Sequence, residues 1–153
     1  AAVAKEAVPR LRDFTPQALA NTVWAFTTAG VPAPALFAAV AKEAAPRLCD
    51  FKPQELVPRL RDFTPQDFSN TVWAFATAGV PAPTLFAAVA KQAEPRLGDF
   101  KPQNLSNTAW AFATAGVPAP TLFAAMAKEA APRLHDFKPQ DFSNTVWAFA
   151  TAG

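Results

Sequence analysis

The sequence predicts an all-α protein, specifically an α-solenoid of tandem helix-turn-helix repeats with a period of 37 residues. Half of the chain is hydrophobic and much of that half is alanine, the best helix former. The sixteen prolines recur at fixed phases, which is typical of helix boundaries rather than of disorder. One phrase, Asn-Thr-Val/Ala-Trp-Ala-Phe, occurs four times, around Trp24, Trp73, Trp110 and Trp147.

The interval between these tryptophans is regular except at the first repeat. Trp73, Trp110 and Trp147 are 37 residues apart, whereas Trp24 precedes Trp73 by 49 residues. The extra twelve residues hold a second copy of the phrase Pro-Arg-Leu-x-Asp-Phe, at 58–63 after 46–51. A duplication of twelve residues explains this, and so does the loss of 25 residues from two full repeats. We favour the loss, because 55–58 reads as a helix start joined to a helix end.

The repeats assign the whole chain, 1–153, to one array. Partial units lie at 1–14 and 138–153, full units at 15–51, 64–100 and 101–137, and an irregular junction at 52–63. We expect irregular stacking at the junction. Because the first residues match the middle of a helix and no polar capping repeat is visible, we expect a fragment of a longer array.

Each unit contains two predicted helices, which we call helix B and helix A in the order of unit 64–100. Helix B follows Thr64, a residue suited to the N-cap, and opens with Pro65. Lys101 and Lys138 replace this threonine, so we expect those two helices to lack the side-chain cap. The predicted core stripe of helix B is Phe68, Val72, Phe75 and Ala76. The helix ends before a C′ glycine, which is Gly30, Gly79 or Gly116 in successive units.

Helix A is predicted from about Pro83 to Leu97. Its apolar row is formed by Leu85, Val89, Ala93 and Leu97, with Phe86 and Ala90 beside it. A proline recurs late in this helix, as Pro46, Pro95 and Pro132. Because a proline inside a helix costs about 3 kcal/mol, we expect either a kink or an early stop at these positions.

Composition and motifs argue against several classes of function. The net charge of +2 permits nucleic-acid binding without indicating it, and no polybasic arm is present. Cys49 is the only cysteine, which excludes a disulfide framework and a thiolate zinc site. No apolar run approaches the roughly 18 residues that span a bilayer. Because no catalytic set or glycine-rich phosphate loop recurs, we expect no enzyme activity, cofactor, metal or small-molecule substrate.

The repeated phrase carries a family likeness. Phe-x-Pro-Gln-Asp-Phe/Leu-Ser-Asn-Thr-Val-Trp-Ala-Phe-Ala-Thr-Ala-Gly resembles the helix-B signature of octotricopeptide repeats, with a counterpart in FAST-kinase-like, RAP-domain proteins. In one unit Pro65, Gln66, Trp73, Ala74 and Gly79 carry the likeness, which covers nearly the whole chain. The resemblance implies a non-catalytic protein of chloroplasts or mitochondria that binds RNA in its processing, stability or translation. No RAP domain is visible.

Periodic basic residues are the first candidate RNA contacts. Stacked units align one lysine and one arginine each: Lys42 and Arg47, Lys91 and Arg96, Lys128 and Arg133. These rows could follow successive phosphates. Equally, Glu43 and Glu129 stand four residues before Arg47 and Arg133 and could pair with them along the helix. Gln92 takes the place of this glutamate in the middle unit, so Arg96 is expected to be less committed.

Three other recurring positions have both a structural and a functional interpretation. The tryptophans could stack on bases, but we favour packing in the core. Asparagine recurs as Asn21, Asn70, Asn107 and Asn144, and we favour a structural bond to a neighbouring loop over contact with a base edge. One variable position, occupied by Arg12, Cys49, Arg61, Gly98 and His135, fits a base-reading site, although unconstrained surface explains it better. Arg61 and His135 join the candidate RNA contacts.

Two functions follow from these patterns. The leading hypothesis is binding of single-stranded RNA, supported by the resemblance and the basic rows. The alternative is a protein-protein interaction scaffold, supported by the modest net charge and the long alanine-rich faces.

Overall fold

The computed structural model describes residues 2–49 and 63–153, and these ranges contain α-helices and 3₁₀ helices but no strand. The prediction of an all-α protein is therefore confirmed. The predicted junction at 52–63 lies outside the described residues except for Phe63. The α-helices are α1 (Ala2–Ala7), α2 (Pro16–Thr28), α3 (Pro34–Cys49), α4 (Pro65–Thr77), α5 (Pro83–Ala93), α6 (Pro102–Ala115), α7 (Pro120–Ala130) and α8 (Pro139–Ala152).

Each helix of the B type begins at a proline, and the residue before that proline decides how well the helix is capped. The Thr64 hydroxyl accepts the N–H of Asp67 at 3.2 Å, and the Asp67 carboxylate accepts the N–H of Thr64 at 2.9 Å. Lys101 has no oxygen to offer, so its helix keeps only the reciprocal bond from its N–H to Asn104 Oδ1. Lys138 makes no side-chain cap bond either. The expected loss of the N-cap bond in α6 and α8 is confirmed.

Exchange of the N-cap residue is expected to change stability in opposite directions in two repeats. Thr64→Ala removes the bond to Asp67 and should lower the free energy of unfolding by about 0.5–2 kcal/mol. Lys138→Thr should raise it by up to about 1 kcal/mol, because Asp141 already stands three residues on to complete the box. Urea denaturation of both variants measures this. Stabilisation by Thr64→Ala would contradict the capping assignment.

The glycine after each helix B closes the helix as predicted. Gly79 has a φ of 63°, and its N–H reaches the carbonyl of Ala76 while the N–H of Val80 reaches that of Phe75. This pair of bonds is a Schellman motif, which needs a residue with positive φ at the C′ position. Gly30 and Gly116 have φ values of 62° and 63° and the same pair of bonds. The structural role predicted for these glycines is confirmed.

Proline divides helix A into two pieces. The α-helices α5 and α7 end at Ala93 and Ala130, and 3₁₀ helices follow over Glu94–Asp99 and Ala131–Asp136. Pro95 and Pro132 stand in the first turn of these 3₁₀ helices, where a missing N–H is tolerated. The early stop is therefore correct, and the extension of helix A to Leu97 is wrong. In the first full unit α3 instead continues past Pro46 to Cys49.

The helices pack in two rows. In one row α2 packs on α4, α4 on α6 and α6 on α8. In the other row α3 packs on α5, whereas α7 packs mainly on the 3₁₀ helix Glu94–Asp99 and barely touches α5. The predicted stripe of α4 and the predicted row of α5 are both buried, apart from the half-buried Ala90.

Aromatic rings join the two rows in the same way in each unit. Phe37 of α3, Phe86 of α5 and Phe123 of α7 each meet a phenylalanine of the next helix B edge to face. The centroid distances of 5.2, 4.9 and 5.1 Å are typical of favourable aromatic pairs. Each helix A is thereby attached to the helix that follows it in the chain.

Candidate functional site

The helices of the B row carry an exposed polar and aromatic surface on the side away from helix A. It consists of four positions per helix, at spacings of four, three and four residues, which we call the tryptophan face. Its members are Gln17, Asn21, Trp24 and Thr28; Gln66, Asn70, Trp73 and Thr77; Gln103, Asn107, Trp110 and Thr114; Gln140, Asn144, Trp147 and Thr151. None of these sixteen residues is buried, and none is charged.

The prediction that the tryptophans pack in the core holds only in part. Trp24 and Trp147 are 44% and 46% exposed, while Trp73 and Trp110 are partly buried against the core. Trp110 lies between Trp73 and Trp147 with ring centroids 6.4 Å from each and interplanar angles of 34°. The three indoles form a continuous ladder across α4, α6 and α8.

The helical period explains this placement. At about 100° per residue, Trp73 lies about 140° around the helix from Phe68, well outside the buried stripe. Asn70 lies at about 200° and Gln66 at about 160° on the same scale, so the three side chains share the opposite face. The sequence carries this signal: Trp73 shares a helix with Phe68 and Val72, but its phase differs from theirs.

The amides beside the indoles are largely uncommitted. Asn144 accepts a hydrogen bond of 2.9 Å from Gln140 Nε2. The side chains of Asn21, Asn70 and Asn107 make no hydrogen bond to any other described residue, so the predicted bond to a neighbouring loop is not found there. An amide offers two donors and an acceptor with two lone pairs. The tryptophan face therefore combines flat aromatic surfaces with donors and acceptors that are free to meet a partner.

The described arginines of the basic rows, Arg96 and Arg133, donate hydrogen bonds to backbone carbonyls and were predicted as phosphate contacts. Arg96 donates from Nη1 to the carbonyl of Phe63 at 2.9 Å and lies 5.5 Å from the centre of the Phe68 ring. Arg133 donates from Nη2 to the carbonyl of Phe100 at 2.8 Å. Arg133 therefore joins its unit to the last residue of the preceding unit, and Arg96 joins its unit to the last residue of the junction. The expectation that Gln92 leaves Arg96 less committed is wrong.

The alternative prediction of ion pairs along helix A is confirmed where the side chains are described. Arg133 Nη1 lies 3.1 Å from Glu129 Oε1, one helical turn earlier. The side chain of Arg47 lies outside the described residues, so the Glu43–Arg47 ion pair stays a prediction.

The lysines lie on the other side of the molecule. Lys91 shares an exposed face of α5 with Thr84 and Ala87, opposite the buried row that packs on helix B. Lys42 and Lys128 are exposed at the corresponding places of α3 and α7. The lysine row therefore belongs to the helix A layer and the tryptophan face to the helix B layer.

Removing the hydrogen bond between Arg133 and the Phe100 carbonyl is expected to destabilise the fold, whereas removing the charge of the neighbouring Lys128 is not. Arg133→Met breaks the charge-assisted bond to the Phe100 carbonyl and should cost about 1–2 kcal/mol, since water can partly replace it. Lys128→Met, the matched control on the same helix, should change the free energy of unfolding by less than about 0.5 kcal/mol. Chemical denaturation gives the free energy of unfolding of both variants. Equal losses of stability would contradict the stabilising role of the bond from Arg133 to the Phe100 carbonyl.

The variable position lies on the surface wherever its side chain is described. Arg12, Gly98 and His135 are exposed, and His135 Nε2 stands 3.3 Å from Asp136 Oδ1. Arg61 and the side chain of Cys49 lie outside the described residues. Surface exposure is compatible both with a base-reading site and with unconstrained surface, so the base-reading role stays a prediction.

The described residues show neither a metal-binding cluster nor a membrane-spanning helix. Over 2–49 and 63–153 no group of three His, Cys, Asp or Glu side chains is placed to hold a metal ion. None of the helices in these ranges has the length and hydropathy that crossing a membrane requires. Compared with protein-family models and with curated proteins, the sequence matches neither a family model nor a curated protein.

Proposed function

We propose that this chain is an α-solenoid that binds single-stranded RNA through the tryptophan face and does not catalyse a reaction. The observation that carries the proposal is the indole ladder of Trp73, Trp110 and Trp147. It is flanked by Asn70 and Asn107, whose side chains make no hydrogen bond to another described residue. Stacking of a base on an aromatic side chain contributes about 1–3 kcal/mol and tolerates every base.

The packing of the two rows supports a solenoid that is curved toward the tryptophan face. Helices of the B row approach closely through small residues such as Ala74, Ala111 and Ala148, all fully buried. In the A row the 3₁₀ helix Glu94–Asp99 separates α5 from α7. Because the B row is the more closely packed layer, we expect successive units to turn toward it, which would place the tryptophan face on the concave side. Concave surfaces are where helical repeat arrays bind extended ligands.

The chemistry of the tryptophan face suits contact with the bases of an RNA better than contact with its phosphates. The face is uncharged, whereas indoles offer stacking surfaces and the amides of Asn70 and Asn107 suit base edges. Lys101 and Lys138 are exposed at the N-termini of α6 and α8, where they could reach the backbone of a bound strand. Because the units are nearly identical, we expect nearly identical base preferences and thus a low-complexity RNA target.

The place of this activity in the cell rests on the resemblance to octotricopeptide repeats. We propose that the chain acts in the processing, stability or translation of RNA in a chloroplast or mitochondrion. The motif residues Pro65, Gln66, Trp73 and Gly79 support this assignment, and the tryptophan face provides a surface on which such binding could occur.

Intrinsic fluorescence gives a direct test, because all four tryptophans belong to the tryptophan face and the chain has no tyrosine. Titration with single-stranded oligo(A), oligo(U) and oligo(C) should quench the emission, most strongly for one homopolymer. The affinity should fall only modestly between about 50 and 200 mM salt, since few phosphates are neutralised. No quenching and no change in anisotropy of labelled RNA at low salt would overturn the proposal.

An interaction scaffold is the second candidate, and one feature favours it. A groove of about 440 Å³ is lined by apolar residues of the helix B–helix A turns, including Val31, Pro32, Phe37 and Val80. Such a groove suits an apolar peptide segment. Protein partners that remain bound after RNase treatment, and that are lost on Val31→Asp, would support this function over RNA binding.

A further inference from the structure

The tryptophan face presents the same four residue types on every helix of the B type. Glutamine, asparagine, tryptophan and threonine recur at its positions, whereas the position after each glutamine changes and is Ala18, Asp67, Asn104 or Asp141. Helices α4 and α6 each have a B-type helix packed on both sides, so their part of the face stays accessible within a fully packed row. A ligand that crosses α4 and α6 therefore meets the same set of side chains twice.

Each indole of α4 and α6 has an asparagine amide one helical turn before it. Asn70 stands three residues before Trp73, and Asn107 three residues before Trp110, which leaves about 5–6 Å between the Cβ atoms of each pair. The side chains of Asn70 and Asn107 make no hydrogen bond to another described residue. An amide carries a donor and an acceptor next to each other. A base stacked on either indole would therefore present one of its edges to an adjacent donor and acceptor.

The hydrogen-bonding groups of the tryptophan face discriminate among the bases. Adenine presents its N6 amino donor beside the N7 acceptor, and the amide of asparagine or glutamine binds both. Guanine presents two acceptors, O6 and N7, which suit arginine or lysine, and the N4 amino donor of cytosine suits aspartate or glutamate. The face contains none of these four charged residue types. Uracil and cytosine have a single ring and cover less of an indole than a purine does, so they stack less strongly.

We propose that the tryptophan face recognises adenine-rich single-stranded RNA, with adenines stacked on Trp73 and Trp110 and their N6 and N7 atoms bound by Asn70 and Asn107. This recognition rests on the proposed RNA-binding function and adds to it the identity of the base. A free adenine nucleotide offers the same base but reaches one indole at a time. In a strand the first contact raises the effective concentration of the next, so a strand should bind far more tightly than a nucleotide.

Comparison of homopolymers tests the choice of base. Labelled oligo(A), oligo(U) and oligo(C) of equal length are titrated with the full chain and followed by anisotropy, with adenosine monophosphate as a competitor. Oligo(A) should bind roughly tenfold more tightly than either pyrimidine strand. Adenosine monophosphate should compete only at concentrations about a hundredfold above those at which unlabelled oligo(A) competes.

The outcomes of this comparison separate the base from the binding itself. Equal affinity for the three strands would overturn the adenine assignment and leave RNA binding intact, whereas no binding to any strand would overturn both. Competition by adenosine monophosphate at the same concentration as oligo(A) would overturn recognition of a strand.

Replacement of one atom of adenine tests the role of the asparagines. 7-Deazaadenine keeps both rings and the N6 amino group but has a carbon in place of N7. An oligomer of 7-deazaadenosine should bind the wild type roughly fivefold less tightly than oligo(A), because the amide loses one partner. The variant Asn70→Ala, Asn107→Ala should bind oligo(A) more weakly than the wild type does and should bind the two oligomers equally. Thr84→Ala with Thr121→Ala, on the exposed face of helix A, is the matched control and should behave as the wild type.

The asparagine variant is expected to stay folded, because alanine has a higher helix propensity than asparagine, and far-UV circular dichroism checks this. If 7-deazaadenine weakens binding by the same factor in the wild type and in the asparagine variant, the assignment of N7 to these amides is overturned.

Discussion

Replacing Phe112 with alanine is expected to lower the free energy of unfolding by about 3–5 kcal/mol. The Phe112 side chain is fully buried, and its ring meets Phe86 edge to face at 4.9 Å. Removing the ring leaves a cavity at the point where α5 is attached to α6, and a close-packed interior refills such a cavity only partly. Because the units of an array are stabilised by contacts with their neighbours, the loss should also weaken the coupling between the two units.

The matched control is Phe142→Ala, since Phe142 is the same residue type on a helix of the same kind and is 45% exposed. Its effect should stay within about 0.5 kcal/mol. Urea denaturation followed by far-UV circular dichroism and by tryptophan fluorescence gives both values. Equal losses in the two variants would contradict the burial that the structure assigns to Phe112.

Loss of two adjacent indoles is expected to have the largest effect on RNA binding. The double variant Trp73→Ala, Trp110→Ala removes two neighbouring rings of the ladder, whose centroids are 6.4 Å apart. If each ring stacks on one base, the affinity should fall by roughly tenfold to a hundredfold for each ring removed. Trp73→Phe with Trp110→Phe keeps an aromatic surface at both sites and should retain most of the affinity. Anisotropy of labelled single-stranded RNA measures all three proteins.

The control for this experiment lies on the opposite layer of the molecule. Lys91→Ala with Lys128→Ala removes two positive charges from the exposed face of helix A, and it should change the affinity by less than about threefold, consistent with weak long-range attraction. A large loss in the lysine variant with no loss in the tryptophan variant would place the RNA on the helix A side. That outcome would restore the basic rows as the contact surface.

The helix boundaries could be read from the sequence because the interactions that set them are local. Thr64 and Asp67 are three residues apart, and the bonds that close the helix at Gly79 span no more than five residues. The same phases recur wherever the phrase recurs, so one analysed unit predicted the others. The core stripe of helix B was also readable, because burial follows the 3.6-residue period within a single helix.

The candidate site was only partly predictable. The arginine row was recognised as periodic, but the carbonyl that Arg96 binds belongs to Phe63, 33 residues earlier in the chain. Helical spacing predicts contacts between residues three or four apart, so it could not identify a partner 33 residues away. The valines and phenylalanines of the same helix favour core packing for the tryptophans, whereas the helical phase puts them on the face with Asn70 and Gln66.

The sequence by itself determined that this chain is helical, where the helices of the B type begin and end, and which side chains of α4 and α5 face a core. The tertiary structure decided which residues remain exposed once the helices have packed on one another. It assigned Arg96 and Arg133 to bonds with carbonyls 33 residues earlier in the chain and left the indole ladder partly exposed. The physical reason is that helix ends depend on neighbouring backbone groups, whereas exposure depends on what a second helix, distant in sequence, covers or leaves open.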